Sequence, residues 1–303
     1  MSWGQRERNK KKWIFILSAV LAVAVIAAVI VIAVMLNKKE KPADADVPSS
    51  VNTAKVITMR DSSLGEIWVP VREELAKNSY NPDQIDTRRG LKTYNENGVV
   101  VSTVGVDVSY FQKEIDWQKV KADGIDFAMI RLGLRGYGTG AIVMDEDFEY
   151  NIKNALEAGL DVGVYFFSQA TSPEEAKEEA EYVIDVLKDY EITYPVVFDL
   201  EVIRQDNSRT NELSTRTMTE ACAAFCKKIK DAGYQPMYYA NKKCAVLKYD
   251  MAELSDYDLW YVDYNDVFDF PYEFAMWQYT NKGTVDGIEG EVDLNLCFKK
   301  YGK

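Results

Sequence analysis

Between residues 104 and 303, short apolar runs alternate with segments that have the apolar periodicity of amphipathic helices. Four runs are almost uninterrupted and rich in β-branched and aromatic residues: 126–133, 161–167, 195–201 and 235–241. Such runs are typical of parallel strands that are covered on both faces. Because repeated strand–helix units connect through right-handed crossovers, they predict a parallel sheet.

The end of the chain differs, because the strand-like segments 258–264, 273–280 and 290–296 leave little room for helices between them. We therefore predict an α/β fold of the TIM-like barrel type, with strand–helix units early and mainly strands late. A doubly wound open sheet is the alternative. The usual cofactors of that fold need a phosphate-binding glycine loop, and the chain contains neither GxGxxG nor GxxxxGK[ST]. We predict that the protein needs no cofactor.

Capping signals predict where the helices begin and end. Ser172 fits the N-cap of one helix, Pro173 its first position and Glu175 the reciprocal position of a capping box. Gly159 and Gly233 are expected to follow the ends of two others, since glycine tolerates the left-handed conformation that closes a helix.

The absence of histidine restricts the chemistry of this chain more than any other count. It excludes Ser-His-Asp and Cys-His triads and histidine zinc sites, so acid–base chemistry must come from Asp, Glu, Tyr, Lys or Cys. The net charge of -12, with no basic stripe beyond the first dozen residues, argues against nucleic-acid binding. The cysteines are expected to be buried thiols and no metal site, although their even number permits disulfides; they are Cys222, Cys226, Cys244 and Cys297.

Residues 13–36 contain 24 residues without a charge. As a helix they would extend about 36 Å, enough to cross a bilayer, so we predict a single transmembrane helix, with a buried core helix as the alternative. Basic residues are more numerous before this segment than after it, which predicts a cytoplasmic tail at 1–12 and places the remainder, about residues 37–303, outside the membrane. Residues 37–55 are polar and predict a flexible stalk.

Residues 56–103 form a lead-in segment whose structure the sequence leaves unclear. We expect it to be ordered and to pack on the barrel at 104–303. Residues 65–75 predict a short strand followed by a helical turn. The pair Asn97-Gly98 is a turn signal before a β-rich run.

The apolar run at 195–201 ends in two carboxylates. Asp199 and Glu201 are two residues apart, so on a strand they share one face, about 7 Å apart, while Leu200 takes the other face. At the carboxyl end of a barrel strand they would lie in the usual position of an active site. Two acids this close cannot both ionise freely, so one should be a proton donor while the other stays charged. Glycoside hydrolysis needs this division, and two solvated acids at a strand end are the alternative.

Other strand ends carry further acids and aromatic rings. Asp107 and Asp293 fall in the first and last strands of the domain. Aromatic residues at strand ends could stack on sugar rings or could instead pack in the core; they are Tyr165, Tyr239, Trp260 and Trp277.

Four segments, taken together in chain order, resemble the glycoside hydrolase family 25 lysozymes over about residues 104–298. They are GVDVSYFQKEIDWQKVKADGIDFAMIRLGLRGYGTG, GLDVGVYFFSQATSPEEAKEEA, PVVFDLE and WQYTNKGTVDGIEGEVDLN. The resemblance implies a (β/α)5β3 barrel and an N-acetylmuramidase. Such an enzyme cleaves the β-1,4 bond between N-acetylmuramic acid and N-acetylglucosamine in bacterial peptidoglycan.

The resemblance also implies roles for individual residues. Glu201 takes the position of the general acid, and Asp199 that of its partner carboxylate, which acts on the acetamido group of the substrate. Asp107 and Asp293 match the other two acidic positions. Residues at sugar-binding positions are Tyr165, Tyr239, Trp260 and Gln278.

The chain departs from the family pattern at two places. YFF stands at 165–167, where many members have Tyr-His-Phe, and Asp263 stands where a small residue is common. Asp263 is therefore expected to add an acid near the mouth of the groove.

Three hypotheses remain open. The first is a muramidase in the cell membrane that faces the wall, bound to the bilayer through 13–36 and to the glycan strand through the barrel. The second is a wall-binding module without catalysis, and the third is a scaffold that contacts an envelope protein through 56–103.

Overall fold

A computed structural model of the chain describes residues 55–61, 65–201 and 208–301. Its strands are β1 (Val56–Asp61), β2 (Gly65–Pro70), β3 (Ile85–Arg88), β4 (Leu91–Glu96), β5 (Val99–Val100), β6 (Thr103–Val108), β7 (Phe127–Arg135), β8 (Ile142–Met144), β9 (Asp161–Ser168), β10 (Val196–Leu200), β11 (Pro236–Asn241), β12 (Asp258–Val262), β13 (Met276–Gly283) and β14 (Val292–Cys297). Its α-helices are α1 (Trp117–Ala122), α2 (Phe148–Glu157), α3 (Pro173–Leu187), α4 (Thr215–Asp231) and α5 (Lys242–Leu247). Short 3-10 turns occupy Pro82–Gln84 and Tyr110–Gln112.

Eight of these strands close into a barrel in the order β6, β7, β9, β10, β11, β12, β13 and β14. The neighbours from β6 to β13 are parallel, whereas β14 runs antiparallel to both β13 and β6. Within residues 55–61, 65–201 and 208–301, an α-helix follows each of the first five barrel strands and none follows the last three. The barrel prediction is confirmed, and the open sheet is wrong because β6 pairs with both β7 and β14.

The helix signals in the sequence act largely as expected. The Ser172 hydroxyl accepts a hydrogen bond from the Glu175 backbone at 3.3 Å, which caps α3. Gly159 and Gly233 have φ angles of 76° and 91°, just beyond the last turns of α2 and α4. The predicted capping-box bond from the Ser172 backbone to the Glu175 side chain is wrong. The Glu175 carboxylate instead accepts from the Thr171 backbone at 2.8 Å and from the Thr171 hydroxyl at 2.9 Å.

Two hydrophobic cores support the barrel. An outer core lies between the strands and the helices. An inner core includes Phe127, Met237 and Met276, which lie at the amino ends of their parallel strands. Because this inner core fills that end of the barrel, the carboxyl ends of the strands are the end at which a pocket can form.

The lead-in segment folds as small antiparallel sheets, β1–β2 and β3–β4–β5. Asn97 and Gly98 have φ angles of 52° and 82° and join β4 to β5, as the turn signal predicted. The predicted strand at 65–75 is present as β2, and residues 73–74 after it form a turn that does not continue into a helix.

The lead-in segment packs on the part of the barrel that has no helices. Tyr80 stacks on Phe298, just after β14, with ring centroids 4.1 Å apart. Arg72 forms an ion pair with Asp250 at 2.8 Å, and the Lys92 backbone donates to the Tyr279 hydroxyl of β13 at 3.2 Å. These contacts cover strands that would otherwise expose their outer face.

The four cysteines are free thiols. Three are buried, as expected, and Cys244 is half-buried. Over the ranges that the structure describes, no helix has both the length and the apolar composition needed to cross a bilayer. The predicted tail, transmembrane helix and most of the stalk, at 1–12, 13–36 and 37–55, lie outside the described residues.

Gly105 is a point where the inner core has no spare room. It pairs with Phe127 across β6 and β7, and a Cβ added to Gly105 would lie 2.3 Å from the Phe127 ring. That ring is fully buried and stacks on Tyr194 at 4.4 Å, so it has nowhere to move. We expect Gly105→Ala to lower the free energy of unfolding by about 1–3 kcal/mol, measured by urea denaturation.

The matched control is Gly138→Ala, since a Cβ at Gly138 meets no atom within 4 Å. It should cause no loss of stability. Equal free energies of unfolding for the two variants would show that the Phe127 ring can move to admit a Cβ at Gly105.

Candidate active site

Eight of the residues that the sequence singled out line one pocket at the carboxyl end of the barrel, with a volume of about 300 Å³. The acids are Asp107, Asp199, Glu201 and Asp293, and the other residues are Tyr165, Tyr239, Trp260 and Gln278. The fourth aromatic candidate, Trp277, is instead fully buried in the outer core, where its indole donates to the Asp263 backbone oxygen at 2.7 Å.

Strand alternation and barrel closure bring the acids together. Asp199 is near the end of β10 and Glu201 directly follows it, and both line the pocket, while Leu200 between them packs in the outer core. Asp107 and Asp293 are direct partners in the antiparallel pairing of β6 with β14. The residue that enters from the antiparallel strand thus reaches the same end as those on parallel strands.

Asp107 is held by two side-chain amides. Its Oδ2 accepts hydrogen bonds from Gln278 Nε2 at 2.9 Å and from Asn295 Nδ2 at 2.7 Å. The Trp260 indole donates to Asn295 Oδ1 at 2.8 Å, and the Tyr239 hydroxyl donates to Gln278 Oε1 at 3.0 Å. Burial raises the pKa of Asp107 to about 6, although the two amides oppose the rise. The aromatic residues of the pocket therefore orient the amides as well as line its wall.

Asp199 is the more deeply buried carboxyl of the Asp199–Glu201 pair. It is buried, and its Oδ1 atom has no hydrogen-bond partner. Burial first, then the charges of Glu201 and Asp107, raise its pKa well above the usual value, while Arg131 opposes them. A buried carboxyl oxygen without a partner costs free energy unless a bound molecule donates to it.

Glu201 and Asp293 complete the acidic cluster. Burial and the charge of Asp107 raise the pKa of Glu201 above its usual value. Burial, Asp107 and Glu201 together raise the pKa of Asp293 to about 8. The pocket therefore retains protons near neutral pH, which a general acid requires.

Gln169 fixes the backbone of Glu201. This fully buried side chain donates from Nε2 to the Glu201 carbonyl oxygen at 3.3 Å and accepts at Oε1 from the Thr210 hydroxyl at 3.1 Å. The Gln169 carbonyl oxygen in turn accepts from Arg209 Nη1 at 3.3 Å. The end of β10 is thereby tied to the residues after β9.

A second buried charge supports the same region. Glu179 lies on the inner face of α3 and accepts from Arg135 Nε at 2.6 Å and from the Ser168 hydroxyl at 2.6 Å. Burial raises its pKa to about 7, with Ser168 and Arg135 opposing the rise. This network joins α3 to the carboxyl ends of β7 and β9.

Arg131 is the main pocket residue that the sequence analysis missed. Its guanidinium binds Asp145 Oδ2 through Nε at 2.7 Å and Nη2 at 2.6 Å. A charged residue inside the apolar run at 126–133 was the signal that could have revealed it. Asn295 could have been found because it lies two residues after Asp293, on the same face of β14. Phe111 and Tyr264, also in the pocket lining, lie beyond the ends of β6 and β12, and the sequence analysis did not select them.

The expectation for Asp263 is wrong. Its side chain accepts from the Tyr261 hydroxyl at 3.0 Å and lies 3.7 Å from Lys242 Nζ. Tyr261 belongs to the outer core, so strand alternation turns Asp263 away from the pocket, whose lining it does not join.

Within the described ranges, no group of three or more Asp, Glu or Cys side chains is arranged to hold a metal ion. The pocket instead places proton-retaining carboxyls beside aromatic rings and amides. This combination can donate a proton to a leaving oxygen and stabilise a developing positive charge, which together define a glycoside hydrolase.

The family match agrees with this class. Residues 106–288, more than half of the chain, match the family model described as Glycosyl hydrolases family 25, and the chain belongs to this family. The uncharacterized protein YegX of Escherichia coli (strain K12) is 28% identical over 207 residues, which cover 63% of this chain and 68% of YegX. Lysozyme M1 of Streptomyces globisporus is 28% identical over 202 residues, which cover 63% of this chain and 66% of that enzyme.

Among solved structures, the modular autolysin LytC from Streptococcus pneumoniae, in complex with a synthetic peptidoglycan ligand, is similar with a TM-score of 0.59. The sequence identity is 22%, and the match covers 80% of this chain but only 56% of LytC. At this identity the likeness establishes the fold alone.

The raised pKa of Asp293 gives the fold a specific pH dependence. The folded state binds this proton more tightly than the unfolded state does, so stability falls as pH rises toward and through about 8. We expect Asp293→Asn to raise the free energy of unfolding by about 1 kcal/mol at pH 9. The gain should shrink toward pH 5, because the wild-type carboxyl is then protonated.

The measurement is urea denaturation at several pH values, with Asp256→Asn, an exposed acid outside this pocket, as the control. A gain of equal size at pH 5 and pH 9 would contradict the assignment to a raised pKa.

Proposed function

We propose that this protein is an N-acetylmuramidase that cleaves the β-1,4 bond between N-acetylmuramic acid and N-acetylglucosamine in peptidoglycan. The observation that carries the proposal is the Asp199–Glu201 pair in the pocket, where Glu201 has a raised pKa and Asp199 has a buried oxygen without a partner. Family membership supports the reaction class. The lysozyme relative and the peptidoglycan ligand of LytC support the substrate.

In the proposed mechanism, Glu201 gives its proton to the glycosidic oxygen as the bond from C1 to that oxygen breaks. The unpaired Oδ1 of Asp199 accepts a hydrogen bond from the acetamido N–H of the same sugar. The acetamido carbonyl oxygen then attacks C1 and forms a cyclic oxazolinium intermediate. Glu201, now a carboxylate, takes a proton from water, whose oxygen attacks C1. The bond from C1 to the acetamido oxygen breaks, which restores the acetamido group and the protonated Glu201 and releases the product.

The other two acids have supporting roles in this proposal. Asp107, held by Gln278 and Asn295, keeps negative charge near Glu201 and so maintains its raised pKa. Asp293 pairs with Asp107 across β6 and β14. Its raised pKa lets it hold a proton near neutral pH, which lowers the negative charge of the pocket. The side chains of Tyr165, Tyr239 and Trp260 form the wall against which the sugar rings would lie.

Glu201→Gln tests the general acid. We expect kcat on purified peptidoglycan to fall about 10²–10⁴-fold, because the amide cannot donate the catalytic proton. In the wild type, activity should fall as pH rises through the pKa of Glu201. The readout is mass spectrometry of new reducing ends, which should be N-acetylmuramic acid for the wild type.

Glu253→Gln, a change to an exposed acid, is the matched control and should retain wild-type activity. Reducing ends of N-acetylglucosamine would contradict the assigned bond. Glycan binding without any new reducing ends would favour the wall-binding module.

We further propose that the protein is held in the cell membrane by residues 13–36, with residues 1–12 in the cytoplasm and the barrel facing the wall. The uncharged length of this segment and the basic residues before it support the proposal. Anchoring would confine hydrolysis to the wall nearest the membrane.

Deletion of 13–36 tests the anchor. The full chain should sediment with membranes, resist washing at high salt and dissolve in detergent, whereas the deletion variant should not sediment. Protease added to intact spheroplasts should digest the barrel. Sedimentation of the deletion variant with membranes would overturn the proposed anchor.

The scaffold remains a second proposal, because the lead-in segment carries exposed apolar side chains on its small sheets. Trp68, Val99 and Val100 are all exposed. In this proposal they would form the contact with an envelope protein.

A further inference from the structure

Two adjacent aromatic rings stand at the rim of the acidic pocket, on the turn after β6. The rings of Tyr110 and Phe111 lie with centroids 4.1 Å apart and planes 32° apart. Phe111 lines the pocket and is 65% exposed, more than any other large apolar side chain among the described residues. A single exposed ring is common on protein surfaces, so the question is how rigidly this one is held.

The backbone of the turn is fixed on both sides of the rings. Ser109 and Gln112 form a capping box, in which the Ser109 hydroxyl accepts from the Phe111 backbone and Gln112 Oε1 accepts from the Ser109 backbone at 2.9 Å. The Tyr110 backbone donates to Asp145 Oδ2 at 3.2 Å. Lys113, directly after the turn, has a φ angle of 55° and a ψ angle of -143°, a conformation that costs free energy for a residue with a Cβ.

The side chains of the turn are fixed as well. The Arg131 guanidinium lies 5.0 Å from the Tyr110 ring centroid and 5.6 Å from that of Phe111. Arg131 is itself fixed by its ion pair with Asp145, so a buried pair supports both rings. An exposed ring that neighbouring side chains already orient loses less conformational entropy when a ligand binds to it.

The position of the rings relates them to the acids. Asp107 is on the strand that leads into the turn, and the same Arg131 that supports the rings opposes the rise in the pKa of Asp199. Across the pocket, after β12, Tyr264 is 50% exposed and donates to Gln278 Oε1 at 2.9 Å. A glycan strand lying over the acids would thus meet a ring on either wall.

We propose that Phe111, supported by Tyr110 and Arg131, is the stacking platform of a sugar subsite for an N-acetylated pyranose of the glycan strand. The apolar C–H face of the sugar would lie against the aromatic face, whose negative potential attracts those hydrogens. This inference rests on the proposed function and adds a binding residue outside the set that the sequence singled out. The sugar in this subsite is a neighbour of the two sugars joined by the cleaved bond.

The experiment measures binding without turnover, in the full chain carrying Glu201→Gln. The probe is a soluble tetrasaccharide of alternating N-acetylglucosamine and N-acetylmuramic acid, titrated by isothermal calorimetry. Phe111→Ala should weaken its Kd about tenfold, because most of an aromatic contact area is lost. Phe111→Leu should weaken the binding nearly as much, since leucine keeps apolar bulk but has no π face. Phe111→Trp should keep a Kd close to that of the chain with Phe111.

The matched control is Trp68→Ala, which removes a ring of similar exposure, 59%, from the lead-in segment outside the pocket. It should leave the Kd unchanged. In the chain with Glu201 intact, Phe111→Ala should raise KM and leave kcat within about twofold, the pattern of a residue that binds the substrate and the transition state alike.

A tetrasaccharide Kd that Phe111→Ala does not change, while the wild type hydrolyses peptidoglycan, would overturn the platform and leave the muramidase in place. Hydrolysis by Glu201→Gln at the wild-type rate would instead overturn the proposed general acid. An equal Kd for Phe111→Leu and the wild type would show that apolar bulk, and not stacking, is what the subsite uses.

Discussion

The pairing of β6 with β14 is the constraint on which the site depends. It closes the barrel and brings the last strand antiparallel against the first, so that Asp293 lies opposite Asp107. The same strand supplies Asn295, whose amide holds Asp107 and whose oxygen accepts from Trp260. Without this closure Asp107, from the first barrel strand, and Asp293, from the last, would not lie in one pocket. Their affinity for protons would then not be raised.

Closure also explains the arrangement of the rest of the molecule. Five helices cover the outer face of the first part of the barrel, while the last strands have none. The lead-in segment covers that side through Tyr80, Arg72 and Lys92, so it acts as part of the domain's packing. The inner core then closes the amino end of the barrel and leaves the pocket at the other end.

The pocket gains its chemistry at a cost in stability. Four acids lie together with one guanidinium, and burial and mutual repulsion raise their affinity for protons. Networks around the pocket offset this cost, among them the amides on Asp107, the buried pair of Arg135 with Glu179, and Gln169 at the Glu201 backbone. Such sites trade folding free energy for the proton-retaining state that catalysis requires.

Local pattern was sufficient for much of the fold and, together with the family resemblance, for many of the site residues. The uninterrupted apolar runs predicted the strands, and the glycines after α2 and α4 marked their ends. The two-residue spacing of Asp199 and Glu201 placed both on one face. These features depend on neighbours in sequence, which is why the sequence by itself determined them.

Other features depend on contacts between residues far apart in the chain, and only the tertiary structure decided them. The meeting of four acids in one pocket, and the two amides that hold Asp107, followed from barrel closure, which no local pattern records. Arg131 and Phe111 lie in the pocket, and Asn295 holds Asp107, because β6 pairs with both β7 and β14. The raised affinity of the acids for protons is likewise tertiary, because burial and the distance between charges exist only once the barrel has closed.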